Sequence, residues 1–201
     1  MEALQKLLMH ELCDLYDAEQ QIVKALPKLI QNATSPELKE ALQEHLAVTQ
    51  KQVERLDEAF SALGEKREQQ KCKGMAGLIA EGEDLLAEDF EDSTKDAGII
   101  GAAQRVEHYE IAAYGTARTL AQTLGNNEIA GLLEETLDEE KEADQLLTQI
   151  AESSINTEAA SEEEDAGRSR GRAGAGSRMT VSSRAKRRSP KRSRDKAKSR
   201  R

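Results

Sequence analysis

Residues 8–29 read LMHELCDLYDAEQQIVKALPKL, and Leu8, Leu12, Leu15, Ile22, Leu26 and Leu29 advance in alternating steps of four and three. That rhythm is one buried seam along a helix. The step it skips is filled by Glu19, the only charged residue in the series. Three further stretches repeat the pattern, each with polar residues at its centre. The second runs Leu38, Leu42, His45, Thr49, Gln52, Leu56, Ala59, Leu63, and the third Ile100, Ala103, Glu107, Glu110, Tyr114, Ala117, Ala121, Leu124. The fourth runs Ala130, Leu133, Leu137, Glu140, Asp144, Leu147, Ala151. Five carboxylates and one imidazole therefore face inward: Glu19, His45, Glu107, Glu110, Glu140 and Asp144.

Ionised carboxylates in a dry interior cost more than the whole folding free energy of a domain unless something compensates them. No Lys or Arg shares these seams. Compensation is left to shared protons, to arginines leaning in from flanking positions such as Arg105, or to divalent metal. Metal is the most economical of the three. A metal-free polar layer, paired with Arg105, Lys141 or its own protons, is the alternative, since such layers can set helix register at a cost in stability.

Composition agrees with a helical protein. Among 201 residues aromatics make up 2% and Trp is absent, which argues against a β-sandwich or a large mixed core. Acidic residues at Glu2 and Glu11 do not suit a secretory signal, and no apolar run could span a bilayer, so a cytoplasmic, non-membrane protein is expected. Cys13 and Cys72 form no CxxC or CxxH pair and read as reduced thiols without a special role.

The net charge of −9 conceals two opposite parts. Residues 1–165 hold 14 Lys and Arg against 37 Asp and Glu, a balance of −23, whereas residues 166–201 hold 15 against one, a balance of +14. The basic stretch has almost nothing apolar to bury and is expected to be disordered. The domain reading is a helical bundle over 1–152 and a disordered tail over 153–201, acidic at 158–165 and basic at 166–201.

The expected elements are a helix near 3–33 bent at Pro27, a second over 36–63 and a short helix within 64–94, followed by long helices over 97–124 and to about 152. Ser35 before Pro36 is a start signal, and Gly64 and Gly125 are stop signals. Short turns make each long pair antiparallel, and a connection of about thirty residues can cross the bundle. At roughly 1.5 Å per residue, Glu19 and Thr49 lie level on either side of the first turn, with His45 one turn nearer the loop. Glu110 and Glu140 are level about the second turn, with Glu107 and Asp144 forming the next layer. All of these groups then fall into one slab of a four-helix bundle, the arrangement of a carboxylate-bridged dinuclear centre.

The blocks LYDAEQQ (15–21), HLAVTQKQ (45–52), AAQRVEHYEIAAYGT (102–116) and LDEEKEAD (137–144) resemble the bacterial YciE/YciF stress-protein family, a ferritin-like group. The resemblance spans about residues 1–152. It implies a dimeric ferritin-like bundle with a short fifth helix, a di-iron centre and a ferroxidase-type or peroxide-consuming role under stress. Carried over position by position, it assigns Glu19 to the first helix, His45 to the second, Glu107 as the bridging acid of the third and Glu140 to the fourth, with Glu110 and Asp144 as further oxygen donors. The chain departs from the common di-iron pattern, because no Glu-x-x-His faces the seam: Leu42 and Val48 flank His45 at three residues, and Asp144 stands where a second His is expected. A single imidazole among oxygen donors suits manganese as well as iron.

Around these, Tyr16, Tyr109 and Tyr114 read as hydrogen-bond donors or radical sinks, and Thr49 and Gln52 as residues that orient ligands. His10 and His108 read as structural, and Glu139 and Glu142 as part of a solvated face. The basic tail points to a second class of function, nonspecific binding of DNA or RNA phosphates, which would make this a noncatalytic, nucleoid-associated helical stress protein. The acidic residues preceding the tail could instead neutralise it.

Overall fold

A computed structural model describes residues 2–162. Five α-helices follow in order: α1 (Glu2–Asn32), α2 (Pro36–Leu63), α3 (Lys73–Ala87), α4 (Asp92–Thr123) and α5 (Asn127–Ile150). Among the described residues there is no strand, and no helix is long and apolar enough to cross a membrane. The Ser35 hydroxyl accepts from Leu38 N–H at 3.4 Å just ahead of Pro36, and Gly64 ends α2 at φ 67°, a left-handed conformation that favours glycine. Gly125, at φ 79°, does the same after α4. Helix α1 continues unbroken across Pro27.

The four long helices close a ring, with α1 against α2, α2 against α5, α5 against α4 and α4 against α1, while α3 lies outside on α1 and α4. The interior is two apolar clusters with a polar layer between them. Leu8, Leu12, Leu56, Tyr114 and Leu133 belong to the first, and Ile22, Leu26, Leu42, Ile99 and Leu147 to the second. Because every seam is interrupted at its middle, stacking the four helices puts the interruptions at one depth.

Two boundaries and one side chain differ from the sequence reading. The first concerns the end of the bundle, placed at 152. The helical course continues through a π-helical turn, Ala151–Ile155, and on to residue 162, so 153–162 is not the disordered segment expected. Its cause is Ile155, buried to 1% exposure in the second cluster, and Glu162, whose carboxylate accepts from Ser93 N–H (3.2 Å) and Ser93 Oγ (2.9 Å) at the start of α4. A π turn holds one extra residue and so changes the face the following residues present. The second is the start of α4 at Asp92 rather than 97, because Asp96 is drawn into the α1–α2 turn. It accepts from Thr34 N–H (2.8 Å), Thr34 Oγ1 (2.7 Å) and Ser35 N–H (2.7 Å). The third is Cys72, which has a structural part after all. Its thiol caps α3 by accepting from Met75 N–H and lies 3.0 Å from the Tyr109 hydroxyl. Tyr109 in turn donates to Asp14 at 2.6 Å, fastening α3 and α4 to α1. The basic segment 166–201, with the expectations of disorder and nucleic-acid binding, lies outside the described residues.

Candidate metal centre

Four of the six inward residues form one tight group. His45 from α2, Glu107 and Glu110 from α4 and Glu140 from α5 each offer a ligand atom, and these atoms all lie within 4.8 Å of one another. His45 Nε2 is 3.4 Å from Glu107 Oε1 and 4.0 Å from Glu140 Oε2. Glu19 from α1, with no exposed surface, joins from the side of Glu110 and Glu140. Like charges thus face one another, and Glu19, Glu107 and Glu110 hold their protons the more tightly for it.

Burial drives the electrostatics. It is the largest influence raising the Glu19 carboxyl to about 8, and the neighbouring Glu140 charge adds to it, against a smaller opposite effect of the bond from Tyr114. Burial and Glu140 lift Glu107 well above the usual carboxylate range, and burial with the charges of Glu19, Glu140 and Glu107 does the same to Glu110. Among the described residues no Lys or Arg pairs with them. Arg105 is exposed and donates to its own Gly101 carbonyl at 2.8 Å, and Lys141 pairs with Asp138 at 2.9 Å on the surface. The sequence-level alternative of Arg105 or Lys141 as counter-charge is therefore excluded by geometry.

Most of the convergent atoms have no hydrogen-bond partner: Glu19 Oε2, His45 Nε2, Glu107 Oε2, both Glu110 oxygens and Glu140 Oε2. Buried polar groups are nearly always bonded, and oxygen and imidazole atoms left unpaired side by side are of the kind that could hold a cation. The partnered atoms are held in place from behind. Tyr114 donates to Glu19 Oε1, and Gln52 Nε2 donates to Glu140 Oε1 and, at 3.0 Å, to Glu139 Oε2. Gln52 thus orients a candidate ligand as expected. Thr49 does not, because its hydroxyl is spent on the His45 carbonyl one turn back, at 2.8 Å.

Asp144 stands apart from the group. Its Oδ1 accepts from Gln104 Nε2 at 3.0 Å and lies 3.3 Å from His108 Nε2 at the half-exposed edge of the α4–α5 interface. One methylene shorter than Glu140, it is captured by polar neighbours before it reaches the centre. Glu139, read from the sequence as part of a solvated face, is half-buried and clamped by Arg55, with contacts of 2.8 Å and 3.0 Å. Burial alone would raise its pKa, but the bonds from Arg55 and Gln52 outweigh that and hold it low. The missed signal was Arg55, at the position after Glu54 and before Leu56, which reaches across to Glu135, Thr136 and Glu139 of α5.

The family described as a domain of unknown function, DUF892, matches residues 3–160. The chain belongs to this family, the YciE/YciF group. It is 41% identical over 160 residues to the protein YciF of Escherichia coli strain K12, a match covering 79% of this chain and 96% of the relative. The crystal structure of the E. coli stress protein YciF is similar, with a TM-score of 0.75 over 78% of this chain and 99% of that one, again at 41% identity. YcfI from Rhodopseudomonas palustris is 46% identical, with a TM-score of 0.71 over 72% of this chain and 92% of its own. A Xanthomonas campestris protein of 21% identity shares the fold, with a TM-score of 0.65 over 80% of this chain and 99% of that one.

Proposed function

We propose that this YciF homologue is a ferritin-like stress-response protein whose slab of acids holds a dinuclear iron or manganese centre that handles iron or peroxide. The observation that carries the reading is the set of unpaired oxygens from four buried glutamates, facing His45 Nε2 with no Lys or Arg among them. His45, Glu107, Glu110 and Glu140 would hold one ion. Glu19, close to Glu110 and Glu140, would supply a further oxygen toward a second ion. A bound pair of such ions supplies electron transfer toward dioxygen or peroxide. The protein's own part is to fix the ligands. Gln52 orients Glu140, Tyr114 orients Glu19, and the two apolar clusters pack on either side of the layer.

Aerobic loading with iron(II) tests this. The wild-type chain should take up about two ions and oxidise iron(II), while Glu107→Ala and Glu140→Ala should lose both properties, by at least roughly 100-fold in affinity. Uptake and oxidation unchanged in those variants would refute the centre. The +14 balance of residues 166–201 supports a second reading, in which the tail retains nucleic acid through phosphate contacts. DNA retention that falls steeply with salt, and disappears in a chain ending at residue 162, would bear it out. Equal retention by the shortened chain would remove it.

A further inference from the structure

Two recesses are lined in part by Glu107, and they differ in how many acids surround it. Between α2 and α5 a cleft of about 210 Å³ is lined by His45 and Glu107 with Glu44, Glu139 and Glu142. Between α1, α3 and α4 a recess of about 90 Å³ has walls of Ile22, Ala25, Leu26, Ile79, Ala103 and Val106, and Glu107 is part of its lining. The Lys28–Glu83 ion pair, 3.0 Å long and about half-exposed, links α1 to α3 at its rim. Glu107 itself is 2% exposed, and its Oε2 has no partner.

The physical difference decides what each can admit. A hydrated cation needs oxygen donors to replace its shell, and the acidic cleft offers them whereas aliphatic walls do not. Water needs two to four polar partners to settle in a cavity, which aliphatic walls do not supply, so the recess favours small nonpolar molecules over water, as the apolar xenon-binding cavities of other proteins do. Hydrogen peroxide is both donor and acceptor, and would have to leave its hydrogen bonds behind to enter. Dioxygen has none to lose.

We propose that the α1/α3/α4 recess is a dioxygen route to the Glu107 side of the centre, and that cations and peroxide come through the α2/α5 cleft. This rests on the metal-centre reading above and names its oxidant as dioxygen. In balance, two iron(II) ions each give up one electron, and one dioxygen accepts both with two protons from water and leaves as hydrogen peroxide. Lys28 and Glu83 close the rim with a pair exposed enough to open and re-form.

The test uses the full chain and begins without metal. Xenon-129 NMR should show saturable uptake by the metal-free protein, lost in Ala25→Phe and independently in Ile79→Trp, which fill the recess from α1 and α3. In single-turnover oxidation of bound iron(II), both variants should slow by at least roughly ten-fold with dioxygen and keep their rate with hydrogen peroxide. Titration with iron(II) alone serves as the control, and either variant that binds it as the wild type does is folded well enough to decide. Absence of xenon uptake by the wild type would overturn the route, as would equal slowing with both oxidants or a wild-type dioxygen rate in a filled variant. Failure of the wild type to bind iron(II) would instead overturn the metal centre, and this route with it.

Discussion

Asp96 and Glu110 lie on the same helix, α4, and both are buried, at 2% and 1% exposure. Three donors from the α1–α2 turn satisfy Asp96 at 2.7–2.8 Å, whereas neither oxygen of Glu110 has a partner. The same functional group thus appears in one helix in two physical states. Asp96 stabilises the fold by answering two backbone N–H groups and a hydroxyl that a turn would otherwise leave unpaired. Glu110 is held by the packing of the bundle against its own preference for water, and its neighbours Glu19, Glu107 and Glu140 aggravate that cost. Retaining such a group makes physical sense where a cation offsets it, and a carboxylate with its own donors has no such need.

The largest expected effects come from removing each charge in place. Glu110→Gln should raise the thermal stability of the metal-free protein and weaken iron(II) binding by at least roughly 100-fold. Asp96→Asn should do the reverse, lowering stability by about 3 kcal/mol because an amide nitrogen then faces the donors of Thr34 and Ser35, with iron(II) affinity unchanged. Thermal melts and iron(II) titrations of the two variants, made side by side, measure both. If Glu110→Gln destabilises as Asp96→Asn does and binding survives, the two carboxylates are alike and the polar layer is structural.

The contrast also explains what the sequence could reveal. Glu19, Glu107, Glu110 and Glu140 were legible because each interrupts a seam whose apolar members fix its face, and because counting from a turn fixes depth along a rigid helix. His45 was legible for the same reason. Asp144 obeys the same periodicity and still stays outside the group, since periodicity gives the direction of a side chain and not its reach or the pull of Gln104 and His108. Asp96, Glu139 and Cys72 carried no periodic signal, because their partners belong to a turn, a facing helix and, for Cys72 in the crossover, α4, which only assembly brings near. The four-helix ring and the short helix in its crossover followed from seam count and connection length, and the end at 152 was misplaced because the π turn at Ala151–Ile155 breaks the rhythm just where Ile155 returns to the core.

A second test uses pH. Glu19, raised from 4.5 to about 8 chiefly by burial, binds a proton more tightly in the folded chain than in the unfolded one. For a carboxyl shifted upward, the folded state is favoured most below the unfolded pKa and loses that advantage as pH rises through the folded pKa. Glu107 and Glu110 move in the same direction. Melting temperature of the chelated protein should therefore fall between about pH 4.5 and 8. Asp14 and Glu139, whose pKa values are held low, titrate below that window and leave it undisturbed. A divalent ion replaces the protons, so the stabilisation it adds should grow over the same range. A flat or rising melting temperature for the chelated protein would mean that the acids are already ionised and solvated.

The smallest effect sharpens the comparison most, because it concerns the one donor the slab does possess on the α1 side. Tyr114, fully buried, donates to Glu19 Oε1 and favours the ionised carboxylate, though burial outweighs it. Tyr114→Phe keeps the ring and its packing and deletes only that bond. Glu19 should then hold its proton to still higher pH, so iron(II) binding should weaken several-fold near pH 6 and recover toward the wild-type value above pH 8, with about 1 kcal/mol of stability change. A loss of affinity that is the same at every pH would mark Tyr114 as packing alone. A loss that fades with rising pH would mark it as the group that begins to do for Glu19 what Thr34 and Ser35 complete for Asp96, leaving the remaining oxygen, Oε2, for the ion.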